Sequence, residues 1–253
     1  MTGSLYVGRA GIDGAQRRVA ARAFHAARWW ALTGSDPGAD HSSMGYTSIR
    51  RLDFGYFVRP AGEAGGPHPR VEPAFGYLVR HGAGLLLFDT GIGAVDPETE
   101  AHYRPCRRPL GDALAAVGLR IPDVSLAVNC HLHFDHCGGN PLLAGRPIVV
   151  QKPELAAAQA GGYTVAELVD FPSVRYEEVD GEAEIWSGVW IIPTPGHTAG
   201  HQSLVVRQPD GIAILAGQAH DFASQFGSDQ LARPPFTRRS SRRFRRTRSG
   251  WTG

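Results

Sequence analysis

Val128-Asn-Cys-His131-Leu-His133-Phe-Asp135-His136-Cys-Gly-Gly-Asn140 carries four metal-ligand side chains within six residues, behind an apolar run and ahead of small, turn-forming residues. That setting reads as a loop at the end of a strand. Side chains alternate in extended backbone, so His131 and His133 point the same way and can offer imidazole nitrogen to one cation; Asp135 continues that face. His136 points elsewhere, toward a second ion or to a place beside the first. A single histidine in such a loop reads as polar surface. Three histidines and an aspartate at this spacing, flanked by glycine rather than helix formers, read as a metal site.

A second stretch, Ile191-Ile-Pro-Thr-Pro-Gly-His197-Thr-Ala-Gly-His201-Gln-Ser203, again ends an apolar run. A loop histidine after Pro-Gly can approach a site built at another strand's end. With His131 and His133 it makes three imidazoles and leaves a coordination position for water, the pattern of a catalytic rather than a structural zinc. Water on such a zinc has a pKa near 7 instead of about 15.7, which gives hydroxide at neutral pH, and the ion also polarises a carbonyl. His201 reads as a core or supporting histidine rather than a ligand. Iron or manganese suits a mixed histidine and carboxylate set as readily as zinc, and either one or two ions fit.

Working outward, Ser48 to Val58 is strand-like, and Phe75-Gly-Tyr-Leu-Val-Arg, a glycine turn at Gly82 to Gly84 and Leu85-Leu-Leu-Phe-Asp89 form a hairpin pattern. A helix from about Leu110 to Val117, a strand from Val124 to Asn129 and a helical segment from Pro153 to Ala160 then alternate. Later strands are Glu184-Ile-Trp, Val189 to Pro193, Ser203 to Arg207 and Ile212 to Ala216. Two β-rich halves with interspersed helices imply a layered α/β sandwich.

The 253 residues, 42% of them hydrophobic, suffice for one domain with a full core. The formal charge of +2 conceals an asymmetry, because seven of the eleven residues from Arg238 to Arg248 are arginine and the remainder is mildly acidic. That remainder lacks the basic, aromatic-interleaved surface of a nucleic-acid groove, so nucleic acid is not an expected partner. No apolar run approaches the roughly 20 residues that span a bilayer, so no membrane partner is expected either. Cys106, Cys130 and Cys137 form neither a disulfide framework nor a CxxC clip, which fits a reducing cytoplasm. Residues 1 to 43 read as a disordered or mis-annotated extension, with Met44 the expected native start and 44 to 232 the catalytic domain. Residues 233 to 253 read as an Arg-rich disordered tail, its change of composition being that of a frameshifted or truncated end.

The two histidine stretches resemble the metallo-β-lactamase superfamily, whose HxHxDH loop stands here as His131-Leu-His-Phe-Asp-His136 and whose later Gly-His stands at Gly196-His197. Leu85 to Gly93 is similar to the superfamily's early strand ending in Asp-Thr-Gly, where Asp89 supports the metal loop. The two histidine loops most resemble the N-acyl homoserine lactonase branch. The resemblance, running from about Ile49 to Phe226, implies an αββα four-layer sandwich with a two-zinc site. His131, His133 and His197 would bind one ion and Asp135 and His136 the other, with Asp135 the catalytic proton carrier to the departing alkoxide. The implied substrate is a small-molecule lactone or ester, N-acyl homoserine lactone first among them. Thioesters and other esters are the alternatives on the same site, and the sequence names no oligomeric state.

Two positions depart from the pattern. Where the family ends a strand in Gly-Asp, this chain has Gly217-Gln218, and an amide offers an oxygen without the negative charge that offsets two cations. The family's last histidine has no counterpart after His220. His220 and Asp221 are near enough in sequence to substitute, while a surface histidine and a helix-capping aspartate are the plainer readings. An impaired remnant that has lost its second metal therefore stands beside the hydrolase reading.

Overall fold

The computed structural model describes residues 47–220. The expectations for residues 1 to 43, Met44, Asp221 and the Arg-rich tail lie outside those residues. Eleven strands form two sheets among the described residues. The larger begins with a long hairpin, β1 (Ser48–Arg59) against β2 (Arg70–His81), continues antiparallel to β3 (Gly84–Phe88), and then turns parallel through β5 (Leu126–Val128), β6 (Pro147–Gln151) and β7 (Arg175–Val179). A two-residue β4 (Cys106–Arg107) completes the far edge beside β1. The smaller sheet is antiparallel in the order β11 (Gly211–Leu215), β10 (Gln202–Gln208), β9 (Val189–Pro193), β8 (Ala183–Trp186).

The apolar alternation explains how the sheets stack. One face of β2, β3, β5 and β6 turns Val79, Leu86, Phe88, Val128 and Val149 toward Val189, Ile191, Leu204 and Val206 of the smaller sheet. The other face packs Leu78, Leu85, Leu87, Ala127, Ile148 and Val150 beneath the helices. Those helices are α1 (Ala61–Ala64), α2 (Pro97–Tyr103), α3 (Leu110–Ala115), α4 (Phe134–Cys137), α5 (Lys152–Gln159) and α6 (Ala166–Val169). Nearly continuous apolar runs such as Gly84–Phe88 and Leu126–Val128 are what a strand buried on both faces requires. The α/β sandwich expected from the alternating elements is thus present, and no described helix is long and apolar enough to cross a membrane.

One expectation needs correction. The extended backbone assumed through His136 ends at His133 (φ −71°, ψ 156°), the residue before the helical turn α4. The amides of His136 and Cys137 both donate to the His133 carbonyl, at 3.0 and 3.1 Å, so Asp135 sits on a turn rather than on a continued strand face. The segment from Tyr163 to Tyr176 holds α6 and the start of β7. Strand β7 has little apolar pattern because it is an edge strand with mostly polar side chains.

Gly138 lets this turn lie flat on the end of β3. A Cβ there would stand 1.9 Å from the Gly93 nitrogen and 2.3 Å from the Ile92 carbonyl carbon. Gly138→Ala should therefore cost about 2 kcal/mol or more in a denaturant titration, whereas Gly62→Ala, with nothing within 4 Å, should stay within about 0.5 kcal/mol of the parent. Equal stability of the two variants would contradict this packing.

Candidate metal centre

Every functional side chain sits just past the carboxyl end of a strand, where α/β sheets open a crevice. Asp89 follows β3, His131 to His136 follow β5, His197 follows β9, and Gln218 follows β11. Asp89 is buried and holds the left-handed conformation (φ 63°), which is costly for a residue other than glycine. The strain places both carboxylate oxygens usefully. Oδ1 accepts the Cys130 amide at 2.8 Å, and Oδ2 lies 3.0 Å from His136 Nδ1. Around them, Thr90 donates to Asn140 Oδ1 at 2.8 Å, Asn140 donates to Asn129 Oδ1 at 3.0 Å, and Asn129 donates to the His136 carbonyl at 3.0 Å. This buried chain closes the loop on itself.

The loop converges three ring nitrogens. His133 Nδ1 lies 3.0 Å from His131 Nε2 and 3.2 Å from His197 Nε2. One ring nitrogen has a single proton or a single lone pair in the ring plane, so His133 Nδ1 cannot satisfy both neighbours by hydrogen bonding. A cation between them can. Tetrahedral zinc with bonds of about 2.0–2.1 Å separates its nitrogen ligands by little more than 3 Å, so the donor set fits zinc. These three residues form one of two groups of potential metal ligands among the described residues; the other is Cys130, His131 and His136. Its Cys130 Sγ lies 3.1 Å from His131 Nδ1 and 3.3 Å from His136 Nδ1, behind the rings rather than between them.

Electrostatics favours the first group. Burial, helped by the neighbouring rings, pushes His131 far below the ordinary imidazole range and brings His133 and His197 down to about 4. All three are thus neutral ligands at pH 7. Burial pushes the Cys130 thiol up to about 12, so in the metal-free chain it keeps its proton at neutral pH. His136 behaves oppositely. Burial opposes its charge, but the Asp135 and Asp89 carboxylates raise its pKa well above the ordinary value. Against burial, His136 in turn holds Asp135 below the usual carboxylate range.

A second cluster meets at His136 Nε2. Asp135 Oδ2 lies 3.3 Å from it and Gln218 Oε1 lies 3.2 Å from it. Gln218 therefore occupies the place beside His136 where the resemblance implies an aspartate. His201 is buried and holds Gln218 in place. Its Nδ1 contacts the Thr194 hydroxyl at 2.8 Å and carbonyl at 3.1 Å, and its Nε2 accepts the Gln218 backbone N–H at 3.1 Å. Both ring nitrogens are thus engaged away from the three-nitrogen cluster, in keeping with a supporting role. His220 is a member of neither ligand group, and Asp221 lies outside the described residues. Glu154, Tyr163 and Thr198 also lie against the ligands, although none stands in a recognisable sequence pattern. The available signal for Glu154 is a lone acid on the apolar face of an Ala-rich helix.

The family model of the Metallo-beta-lactamase superfamily matches residues 69–225. An N-acyl homoserine lactonase of a Bacillus species is 34% identical over 183 residues, which cover 63% of this chain and 72% of that protein. The N-acyl homoserine lactonase AiiA of Bacillus thuringiensis subsp. kurstaki is 31% identical over the same span and share. Among solved structures, an N-acyl homoserine lactone hydrolase with the product N-hexanoyl-L-homoserine at its catalytic metal centre superposes with a TM-score of 0.59 at 26% identity, over 66% of this chain and 73% of that one.

The depressed histidines carry a pH signature. Between pH 6.5 and about 4 the unfolded chain protonates residues 131, 133, 197 and 201 while the folded chain does not, so the metal-free protein loses stability as pH falls. His136, shifted upward, contributes fully below pH 6.5 and loses its contribution only above it. The melting temperature of metal-free protein should fall by about 5 °C or more from pH 7 to pH 5. An unchanged value would contradict neutral burial of these rings.

Proposed function

The chain belongs to the metallo-beta-lactamase superfamily, and on that premise we propose that it is a metal-dependent hydrolase that opens the lactone ring of N-acyl homoserine lactones. The observation that carries this reading is the convergence of His131, His133 and His197 on one point beside the Asp135 carboxylate. A zinc ion there supplies Lewis acidity, lowering the pKa of water that it binds to near 7 and polarising the ester carbonyl. The chain's own contribution is neutrality at the ligands. Three uncharged imidazoles bring no negative charge to the cation, and Cys130 and Asp89 lie against other ring nitrogens, His131 Nδ1 and His136 Nδ1.

Asp135 moves the proton. Held ionised by His136, it can take the proton of attacking water and pass it to the alkoxide that leaves when the ring C–O bond breaks. The product is the open hydroxy acid, whose carboxyl ionises at neutral pH. The buried loop network brackets the backbone that carries His131, His133 and Asp135. The lactonase relatives favour the lactone over thioesters and other esters, which the same site could also hydrolyse.

A second reading rests on Gln218. With an amide beside His136 in place of a carboxylate, a second cation meets less negative charge and competes with the proton on His136 Nε2. The enzyme then works with one firmly held ion and a weak second.

Zinc-loaded protein given N-hexanoyl homoserine lactone in a pH-stat should release acid as the ring opens, and chelation should stop it. Asp135→Asn should lower kcat by about 10²-fold or more. Loaded, folded protein that leaves the lactone intact would overturn the assignment. Gln218→Asp should strengthen the second ion, raising bound metal from about one toward about two per chain; an unchanged ratio would remove Gln218 as the cause of weakness.

A further inference from the structure

Glu154, in the first turn of α5, is only 1% exposed. A carboxylate buried this deeply needs strong partners, and it has three. The Leu132 amide donates to Oε1 at 2.8 Å, the Tyr163 hydroxyl donates to the same oxygen, and the Thr198 hydroxyl donates to Oε2 at 2.6 Å. Each partner belongs to a different wall of the three-histidine cluster. Leu132 stands between His131 and His133, the Tyr163 ring lies against the His133 ring with centroids 4.8 Å apart, and Thr198 follows His197.

The histidines come from different sheets. His131 and His133 follow β5 of the larger sheet, whereas His197 follows β9 of the smaller. Glu154, reached from the end of β6, spans the two. Its backbone also carries the His197 loop, since a Cβ on Gly200 would meet Glu154 N, Cβ and Cα at 2.3 to 2.5 Å. The sheets themselves are joined elsewhere, by the Gln202 amide on the Cys130 carbonyl and by the large apolar interface. The carboxylate is therefore not needed to close the sandwich, and packing alone would be served by a leucine at lower desolvation cost.

We infer that Glu154 is a positioning residue for the metal site, a single carboxylate that sets His133 and His197 at the separation one ion requires. It does not touch the ion or the reacting atoms. Its oxygens fix the backbone before one ligand, the ring beside it and the hydroxyl next to the other, in the way that hydrogen-bonded partners of metal ligands govern affinity. This rests on the reading of residues 131, 133 and 197 as one metal site.

The test uses Glu154→Gln, which keeps the shape but presents an amide N–H to donors, and Thr198→Val, which removes only the hydroxyl that links Glu154 to the His197 loop. Zinc affinity is measured by chelator competition, and the ligand field by the visible absorption of the cobalt-substituted chain. Glu154→Gln should weaken zinc by at least about 10-fold and alter the cobalt bands; Thr198→Val should move both readings in the same direction, with circular dichroism and metal-free melting near the parent's. Should Glu154→Gln fail to fold, Thr198→Val decides by the same two readings. Folded variants with parental zinc affinity and cobalt spectrum would overturn the role of Glu154 alone. A parent chain that takes up no zinc would overturn this inference together with the metal-site reading beneath it.

Discussion

His133 Nδ1 faces two other imidazole nitrogens at 3.0 and 3.2 Å, and a ring nitrogen has only one direction in which to give or accept a proton. The crowding does not ease by protonation, because burial and the neighbouring rings push all three histidines well below the usual imidazole range. A cation is the partner that satisfies three lone pairs at once. Much of the surrounding structure can be understood as holding that arrangement: a left-handed Asp89, a closed chain of amides and hydroxyls, a glycine that admits no Cβ, and a deeply buried Glu154. The left-handed Asp89 and the buried Glu154 carboxylate cost free energy when considered alone.

The two clusters are neighbours, with the His131 and His136 ring centroids 4.2 Å apart, but they differ in charge. The three imidazoles of the first are uncharged. Around His136 the picture reverses, since Asp89, Asp135 and Gln218 meet a ring that retains its proton. A second ion must displace that proton and does so with one carboxylate fewer than a Gly-Asp strand end would provide. Neutral ligands at one position and a proton-occupied histidine at the other make the two positions unequal by construction.

The fold and the first cluster were largely legible in the sequence, for local reasons. Strands such as Leu126–Val128 are unbroken apolar runs, and His131, Leu132 and His133 alternate as extended backbone must. Alternation failed at Phe134, where the backbone turns helical; hydrogen bonds to the His133 carbonyl and contact with Gly93 decide that, and neither can be read from spacing. Glu154 was equally hidden, because its partners lie in the sequence before it, just after it and far beyond it, and only the folded chain brings Leu132, Tyr163 and Thr198 to one carboxylate. Gln218 was visible as a departure from the family pattern, but its place beside His136 Nε2 required the structure.

The central claim is that the ion's protein ligands are the imidazoles of residues 131, 133 and 197, with Cys130 behind them as a protonated thiol. X-ray absorption at the zinc edge of the loaded, purified chain tests this directly, because nitrogen and sulfur ligands differ in distance, about 2.0–2.1 Å against about 2.3 Å. The expected spectrum is a shell of light atoms with imidazole scattering and no sulfur. A sulfur shell, which would move the ion to Cys130, His131 and His136, or a chain that retains no zinc, would contradict the account.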